Sequence, residues 1–213
     1  MAGQVGGKKR LTQDVVEVDE TYQNAGQKGE VVLHRAPRCR ARGGRGRGTY
    51  ATDRPPIVAV VGRDPQRRVC CHMAVLPHLR KSALRPLLAA QVPAQAAVCT
   101  DEYGVYTYLG RQCEHYRVDH GRRHWVAQMD GLLAHTNTAE GLWSLVHGWL
   151  LPHRGVHKKN LGLYVCLAQF NLNHRELTAL QRLGLIVHAA LATHMTAAQL
   201  RKQLPKHYLQ HSR

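Results

Sequence analysis

The chain has 213 residues, 44% of them hydrophobic, which is enough for one large domain with a substantial core. The 30 Lys and Arg residues outnumber the 14 Asp and Glu residues, and the formal net charge of +16 favours a polyanionic partner, best a nucleic acid. The basic N-terminus has no apolar segment and no run of 18 apolar residues occurs, which excludes a secretory signal and a membrane-spanning helix.

The first part of the chain predicts a leader followed by strands. Residues 1–14 are Gly- and Lys-rich, and we expect a disordered basic leader there. The β-branched stretch 15–22 predicts a strand, with Asp19 near its C-terminal end. Two further apolar runs, 57–62 and 68–76, predict a hairpin that continues antiparallel from the first strand.

Between these strands lies a segment rich in Arg and Gly, residues 34–54. It includes Arg45 and Arg47, and its composition cannot build a core. We interpret it as a flexible arm that follows phosphate groups, and the alternative is a solvated loop insertion.

The middle of the chain predicts a helix at 81–91, in spite of an internal proline, and a short apolar strand at 96–100 that ends at Asp101. A plausible edge strand follows at 114–118. Residues 119–134 are polar and basic, which predicts a loop.

The stretch HTNTAEGLWSLVHGWL, residues 135–150, predicts a helix that carries a carboxylate in its first turn. Asn137 suits the N-cap position and Glu140, three residues later, suits the partner position of a capping box. A second helix is expected at 160–173, followed by a helical tail over 176–213. The predicted inner faces comprise Leu142, Leu145, Val146 and Trp149 in the first helix, and Leu163, Cys166, Leu167 and Phe170 in the second.

Asp19 lies near the end of a predicted strand, Asp101 follows another, and Glu140 lies at the start of a helix, so the three carboxylates are expected to meet at one edge of the sheet. Carboxylate oxygens suit Mg²⁺ or Mn²⁺, and two such ions can promote phosphodiester displacement. For each residue singly the alternative is a solvated carboxylate.

Other metal chemistry has weaker support. The six cysteines form no CxxC pair, which indicates reduced thiols in the core. His115, His120 and His124 cluster, but Gly121 and two arginines interrupt them and no HExxH motif occurs, so surface histidines are favoured over a zinc site.

Three blocks of the sequence together resemble the signature of bacterial insertion-sequence transposases of the ISXO-like group. They are VEVDETY with Asp19, CTDEYGVY with Asp101, and HTNTAEGLWSLVHGWL with Glu140. FNLNHRE resembles the closing helix of that group, so the resemblance covers residues 15–175.

This resemblance implies an α/β, RNase-H-like catalytic domain over 15–175, whose mixed sheet has three antiparallel strands plus parallel strands and is flanked by helices. Asp19 and Asp101 would bind two Mg²⁺ or Mn²⁺ ions, with Glu140, or Asn137 in a variant site, as the third ligand. The implied reaction is hydrolysis at the element's ends, followed by attack of the freed 3′-hydroxyl on target DNA. A homodimer in the bacterial cytoplasm, associated with the nucleoid, is expected.

The sequence departs from this group in two respects. His147 stands where relatives have Lys or Arg, and the strand with Asp19 begins without the recognition module that often precedes it in relatives. These departures favour, as the first alternative, an inactive or repurposed copy that binds DNA without cutting it. The second alternative is an RNA-binding protein that uses the Arg/Gly arm. The candidate DNA-binding residues are Arg45, Arg47, Arg122, Arg123, His147, Lys158 and Lys159.

Overall fold

A computed structural model describes residues 11–29, 46–63, 70–119, 126–129 and 132–192. Five of its strands are β1 (Val15–Tyr22), β2 (Pro56–Gly62), β3 (Cys70–Val75), β4 (Ala97–Asp101) and β5 (His115–Val118). They form one sheet in the order β3-β2-β1-β4-β5. β2 is antiparallel to its neighbours β1 and β3, whereas β4 is parallel to β1 and β5 is parallel to β4. The predicted mixed α/β sheet is confirmed.

Helices cover both faces of this sheet. They are α1 (Lys81–Gln91), α2 (Asn137–Leu150) and α3 (Lys158–Asn173). Alternate residues of a strand point to opposite faces, so Val58 and Val60 of β2 join the core beneath α1, while Ile57, Ala59 and Val61 join the core beneath α2 and α3. β2 is therefore buried along its whole length, as its unbroken apolar sequence predicts.

The outer edge of β3 is covered by polar side chains of α3. The Asn173 side chain accepts a hydrogen bond from the Cys71 backbone N–H at 2.9 Å and donates one to the Cys71 carbonyl oxygen at 2.8 Å. Gln169 accepts another from the Met73 N–H at 2.7 Å. These contacts occupy backbone groups that an edge strand would otherwise offer to another chain.

The predicted loop at 119–134 is wrong in part, because it contains a small antiparallel hairpin. Its strands are β6 (Ala127–Met129) and β7 (Leu132–Ala134), which form a separate two-stranded sheet. Ala134 is buried next to β4 and β5. The polar composition of the segment obscured these short strands, which leave little periodicity to detect.

The predicted inner faces of the two helices also need correction. Leu145 of α2 is exposed, while Trp143 is buried. α3 buries Leu161 and Val165 and leaves Leu163 exposed. Leu167, also predicted for the inner face of α3, is exposed as well.

The contacts divide the chain into two compact units, one spanning residues 10–173 and a second that includes α4 (Ala179–Ala192). α4 lies within the helical tail expected over 176–213, and residues 193–213 of that tail lie outside the described residues. The helices of the described ranges are all too short or too polar to cross a membrane.

Candidate active site

β1 presents three alternate polar residues to α2. Glu17, Asp19 and Thr21 alternate along the strand with Val16 and Val18, which lie in the core on the opposite face. The side chains of all three contact α2. β1 lies in the middle of the sheet, so these polar groups enter a layer that is elsewhere apolar.

Asp19 lies in a strongly perturbing environment. Its Oδ2 accepts a hydrogen bond from the Trp143 Nε1–H at 2.8 Å. Burial raises the pKa of Asp19 from 3.8 to about 6; the hydrogen bond from Trp143 opposes that rise, and the nearby carboxylates Asp101 and Glu140 add to it. The three predicted ligands therefore share one electrostatic neighbourhood.

Asp101 reaches this neighbourhood through the register of the parallel strands. Glu17 pairs with Cys99, and the same register extended by two residues puts Asp19 beside Asp101. The Tyr103 N–H donates a hydrogen bond to Asp101 Oδ1 at 3.0 Å, a turn that holds the carboxylate at the strand end. The sheet is thus consistent with the expectation that Asp19 and Asp101 lie close together, although only Asp101 ends its strand, whereas Asp19 lies three residues before the end of β1.

Glu140 lies exposed in the first turn of α2, but the predicted capping box is wrong by one residue. The N-cap is Thr136 and Asn137 is the first helical residue. Thr136 Oγ1 donates to Glu140 Oε1 at 3.0 Å. The backbone N–H groups of Thr138 and Ala139, which a capping side chain would normally satisfy, donate instead to Glu17.

The described residues contain no group of three His, Cys, Asp or Glu side chains already arranged as a metal site. The donor chemistry nevertheless fits a hard divalent cation, because three carboxylates lie on one face and two of them raise the pKa of the third. Trp143 occupies one of about four acceptor positions on the Asp19 carboxylate. The carboxylate can therefore keep this hydrogen bond and still offer oxygen lone pairs to a cation.

A fourth carboxylate, Glu20, lies on the opposite face of β1 and was missed in the sequence. Its Oε2 accepts a hydrogen bond from the fully buried Tyr106 hydroxyl at 2.5 Å. Burial raises the pKa of Glu20 to about 7; the Tyr106 hydrogen bond opposes the rise, Asp101 and Asp19 reinforce it, and Arg47 opposes it. The sequence signal for Glu20 was its position directly after Asp19, near the end of the predicted strand.

Glu17 was also missed, although it alternates with Asp19 on the same strand. It is fully buried and forms an ion pair with Arg63, with 2.8 Å between Arg63 Nε and Glu17 Oε1. A charged residue at an inward position of an interior strand is unusual, and that position was the signal in the sequence.

The candidate DNA-binding residues fall into different environments. The Arg47 guanidinium stacks 3.5 Å above the centroid of the Tyr103 ring, and its charge acts on Glu20. His147 is exposed and its Nε2 lies 3.2 Å from Thr21 Oγ1. Burial and the charge of Arg54 lower the pKa of His147 below 6.5, which leaves the imidazole neutral at pH 7.

Lys158 is engaged within the fold. Its Nζ lies 3.0 Å from Oδ1 of the buried Asp53, donates to the Tyr50 carbonyl oxygen, and lies over the Tyr50 ring. Lys159 is exposed. Arg45, Arg122 and Arg123 lie outside the described residues.

Comparisons with known proteins agree with this picture. Residues 11–173 match a family model described as the ISXO2-like transposase domain. The chain is 35% identical over 154 residues to an uncharacterized protein in transposable element ISH50 of Halobacterium salinarum, an alignment that covers 70% of this chain and 49% of the relative. The chain thus spans about half the length of the curated relative it matches. No solved structure matches significantly.

Proposed function

Because the chain belongs to the family of ISXO2-like transposase domains, we propose that it cleaves DNA at the ends of an insertion sequence and joins the cut ends to target DNA. The observation that carries this proposal is the acidic cluster on the α2 face of the sheet, in which Asp101 and Glu140 both raise the pKa of a largely buried Asp19. Such a concentration of negative charge is costly for the metal-free fold and favours a bound cation.

In this proposal Asp19, Asp101 and Glu140 hold Mg²⁺ or Mn²⁺, with Asn137 as the alternative third ligand. Two divalent ions supply activation of the attacking oxygen and stabilisation of the leaving oxygen in a phosphodiester displacement. The chain itself positions the groups, since β1 and β4 present the two aspartates side by side and α2 carries the glutamate.

DNA placement depends on the cations around this cluster. Arg47, a residue of the Arg/Gly segment, stacks on Tyr103, two residues after Asp101, and its charge acts on Glu20, so this part of the segment lies close to acidic residues. This location supports the proposal that the Arg/Gly segment guides the phosphate backbone of DNA to the carboxylates. Two ends of an element have to be cut, and we expect a homodimer to do so.

The test is nicking of a supercoiled plasmid in the presence of Mg²⁺ or Mn²⁺, with Asp101→Asn as the matched inactive variant. Asn keeps the size and the acceptor for the Tyr103 N–H but removes the charge that a metal requires. Nicking by the parent and not by the variant supports the proposal. Equal nicking by both contradicts it.

A second candidate is a protein that binds DNA without cutting it, and His147 favours this candidate. Its neutral imidazole is a weaker partner for phosphate than Lys or Arg. Retained DNA binding without nicking, in the parent and in His147→Lys alike, would establish this second candidate.

A further inference from the structure

The buried carboxylate of Glu17 has no part in the chemistry described so far. It is fully buried and lies two residues before Asp19 on the same face of β1. A buried charge without partners is strongly unfavourable, so its retention depends on the groups that surround it.

Four donors satisfy this carboxylate. Oε1 accepts from Arg63 Nε at 2.8 Å and from Thr138 Oγ1 at 2.7 Å. Oε2 accepts from the backbone N–H groups of Thr138 at 2.9 Å and Ala139 at 3.0 Å. With four donors on its two oxygens, Glu17 differs from Asp19 and is not suited to serve as a metal ligand.

Arg63 extends the same network to the segment that precedes α2. Its Nη2 donates to the His135 carbonyl oxygen at 2.8 Å, and its Nη1 donates to the Leu133 carbonyl oxygen. The Glu17–Arg63 pair therefore binds the chain on both sides of Thr136, the N-cap of α2. Since Thr136 makes no side-chain capping bond to the helix backbone, Glu17 supplies the acceptor for the first turn.

We infer that Glu17 and Arg63 are positioning residues, which fix the start of α2 on β1 and thereby place Glu140 relative to Asp19. Glu140 directly follows Ala139, whose N–H is held by Glu17. Metal ligands tolerate displacements of only about 0.2 Å, so a shift of this first turn weakens the site without removing a ligand. This inference rests on the proposed metal-dependent function.

The test measures Mn²⁺ affinity of the full chain by electron paramagnetic resonance of free Mn²⁺. Glu17→Gln keeps the size of the side chain but removes its charge, and we expect affinity to fall about tenfold, as is common for groups that orient metal ligands. Thr138→Ala removes one of the four hydrogen bonds and is expected to weaken binding severalfold. Thr138→Ser, the matched control, keeps the hydroxyl and should bind like the parent.

A double variant separates positioning from other effects. If Glu17 acts through Glu140, then adding Glu17→Gln to Glu140→Gln causes no further loss of Mn²⁺ affinity. The control for lowered stability is Asn173→Ala at the far edge of the sheet, which should leave Mn²⁺ affinity unchanged.

The outcomes distinguish the two proposals. Parental affinity in Thr138→Ala and in folded Glu17→Gln, with a loss in Asp101→Asn, overturns the positioning role and leaves the proposed function standing. Additive losses in the double variant overturn it as well. Equal Mn²⁺ affinity of the parent and Asp101→Asn overturns the proposed function and, with it, this inference.

Discussion

Asp19→Asn should stabilise the metal-free protein at alkaline pH, although it removes a residue from the candidate active site. Burial raises the pKa of Asp19 from 3.8 to about 6, which means that the folded protein binds this proton more tightly than the unfolded chain does. The stabilising effect of that proton is fully present below 3.8 and is lost as the pH rises through about 6. Above about pH 6 the folded state holds Asp19 as a buried negative charge that Asp101 and Glu140 repel.

The magnitude follows from the same two values. At about 1.4 kcal/mol for each pH unit between them, ionised Asp19 costs the fold about 3 kcal/mol at pH 8. Asn has nearly the same shape and an oxygen that can accept the Trp143 N–H. We therefore expect Asp19→Asn to raise the free energy of unfolding by about 3 kcal/mol at pH 8 and by less than about 1 kcal/mol at pH 4.

The assay is urea denaturation followed by tryptophan fluorescence, in EDTA, at pH 4 and pH 8. Asp14→Asn is the matched control, since Asp14 is exposed and directly precedes β1. The reasoning is refuted if Asp19→Asn stabilises no more than Asp14→Asn at pH 8, or if its effect is the same at both pH values.

Three further predictions test other contacts. Tyr106→Phe removes the hydroxyl that donates to Glu20, so the pKa of Glu20 should rise above about 7 in a carboxylate ¹³C NMR titration, and an unchanged midpoint would contradict the contact. Asn173→Ala leaves two backbone groups of Cys71 without their partner and should lower the free energy of unfolding by about 2 kcal/mol in urea, whereas no loss would mean that water replaces the amide. His147→Lys should tighten DNA binding and steepen its log-log salt dependence by about one, and an unchanged slope would place this position off the phosphate path.

The strands of the sheet could be predicted from sequence because each has a local signal. β2 is a continuous apolar run, β1 is rich in β-branched residues, and β4 is a short apolar segment that ends in Asp101. The order of Asp19, Asp101 and Glu140 along the chain, together with the family resemblance, pointed to their meeting at one sheet edge.

The contacts within the site could not be predicted, because their partners are remote in sequence. Glu17 and Thr138 are 121 positions apart, and Trp143 and Asp19 are 124 apart. The helix start illustrates the consequence: Asn137 and Glu140 have the spacing of a capping box, but Glu17 from another strand takes the capping role. The capping-box motif is local, whereas the contact that replaces it joins residues too far apart in sequence for any local pattern to reveal.

The spacing of alternate residues on β1 matches the spacing of turns on α2, and this match explains why Asp19, and not Glu17 or Thr21, is suited to bind a cation. Two residues of a strand advance about 6.6 Å and four residues of a helix about 6 Å, so the strand positions of Glu17, Asp19 and Thr21 meet successive turns of α2. Arg63 and the helix N-terminus neutralise Glu17, and His147 satisfies Thr21. The groups of the described chain that act on Asp19 are a neutral indole, a backbone N–H and two carboxylates. Of Glu17, Asp19 and Thr21, only Asp19 therefore has a negative charge that these contacts do not neutralise. A divalent ion would neutralise it.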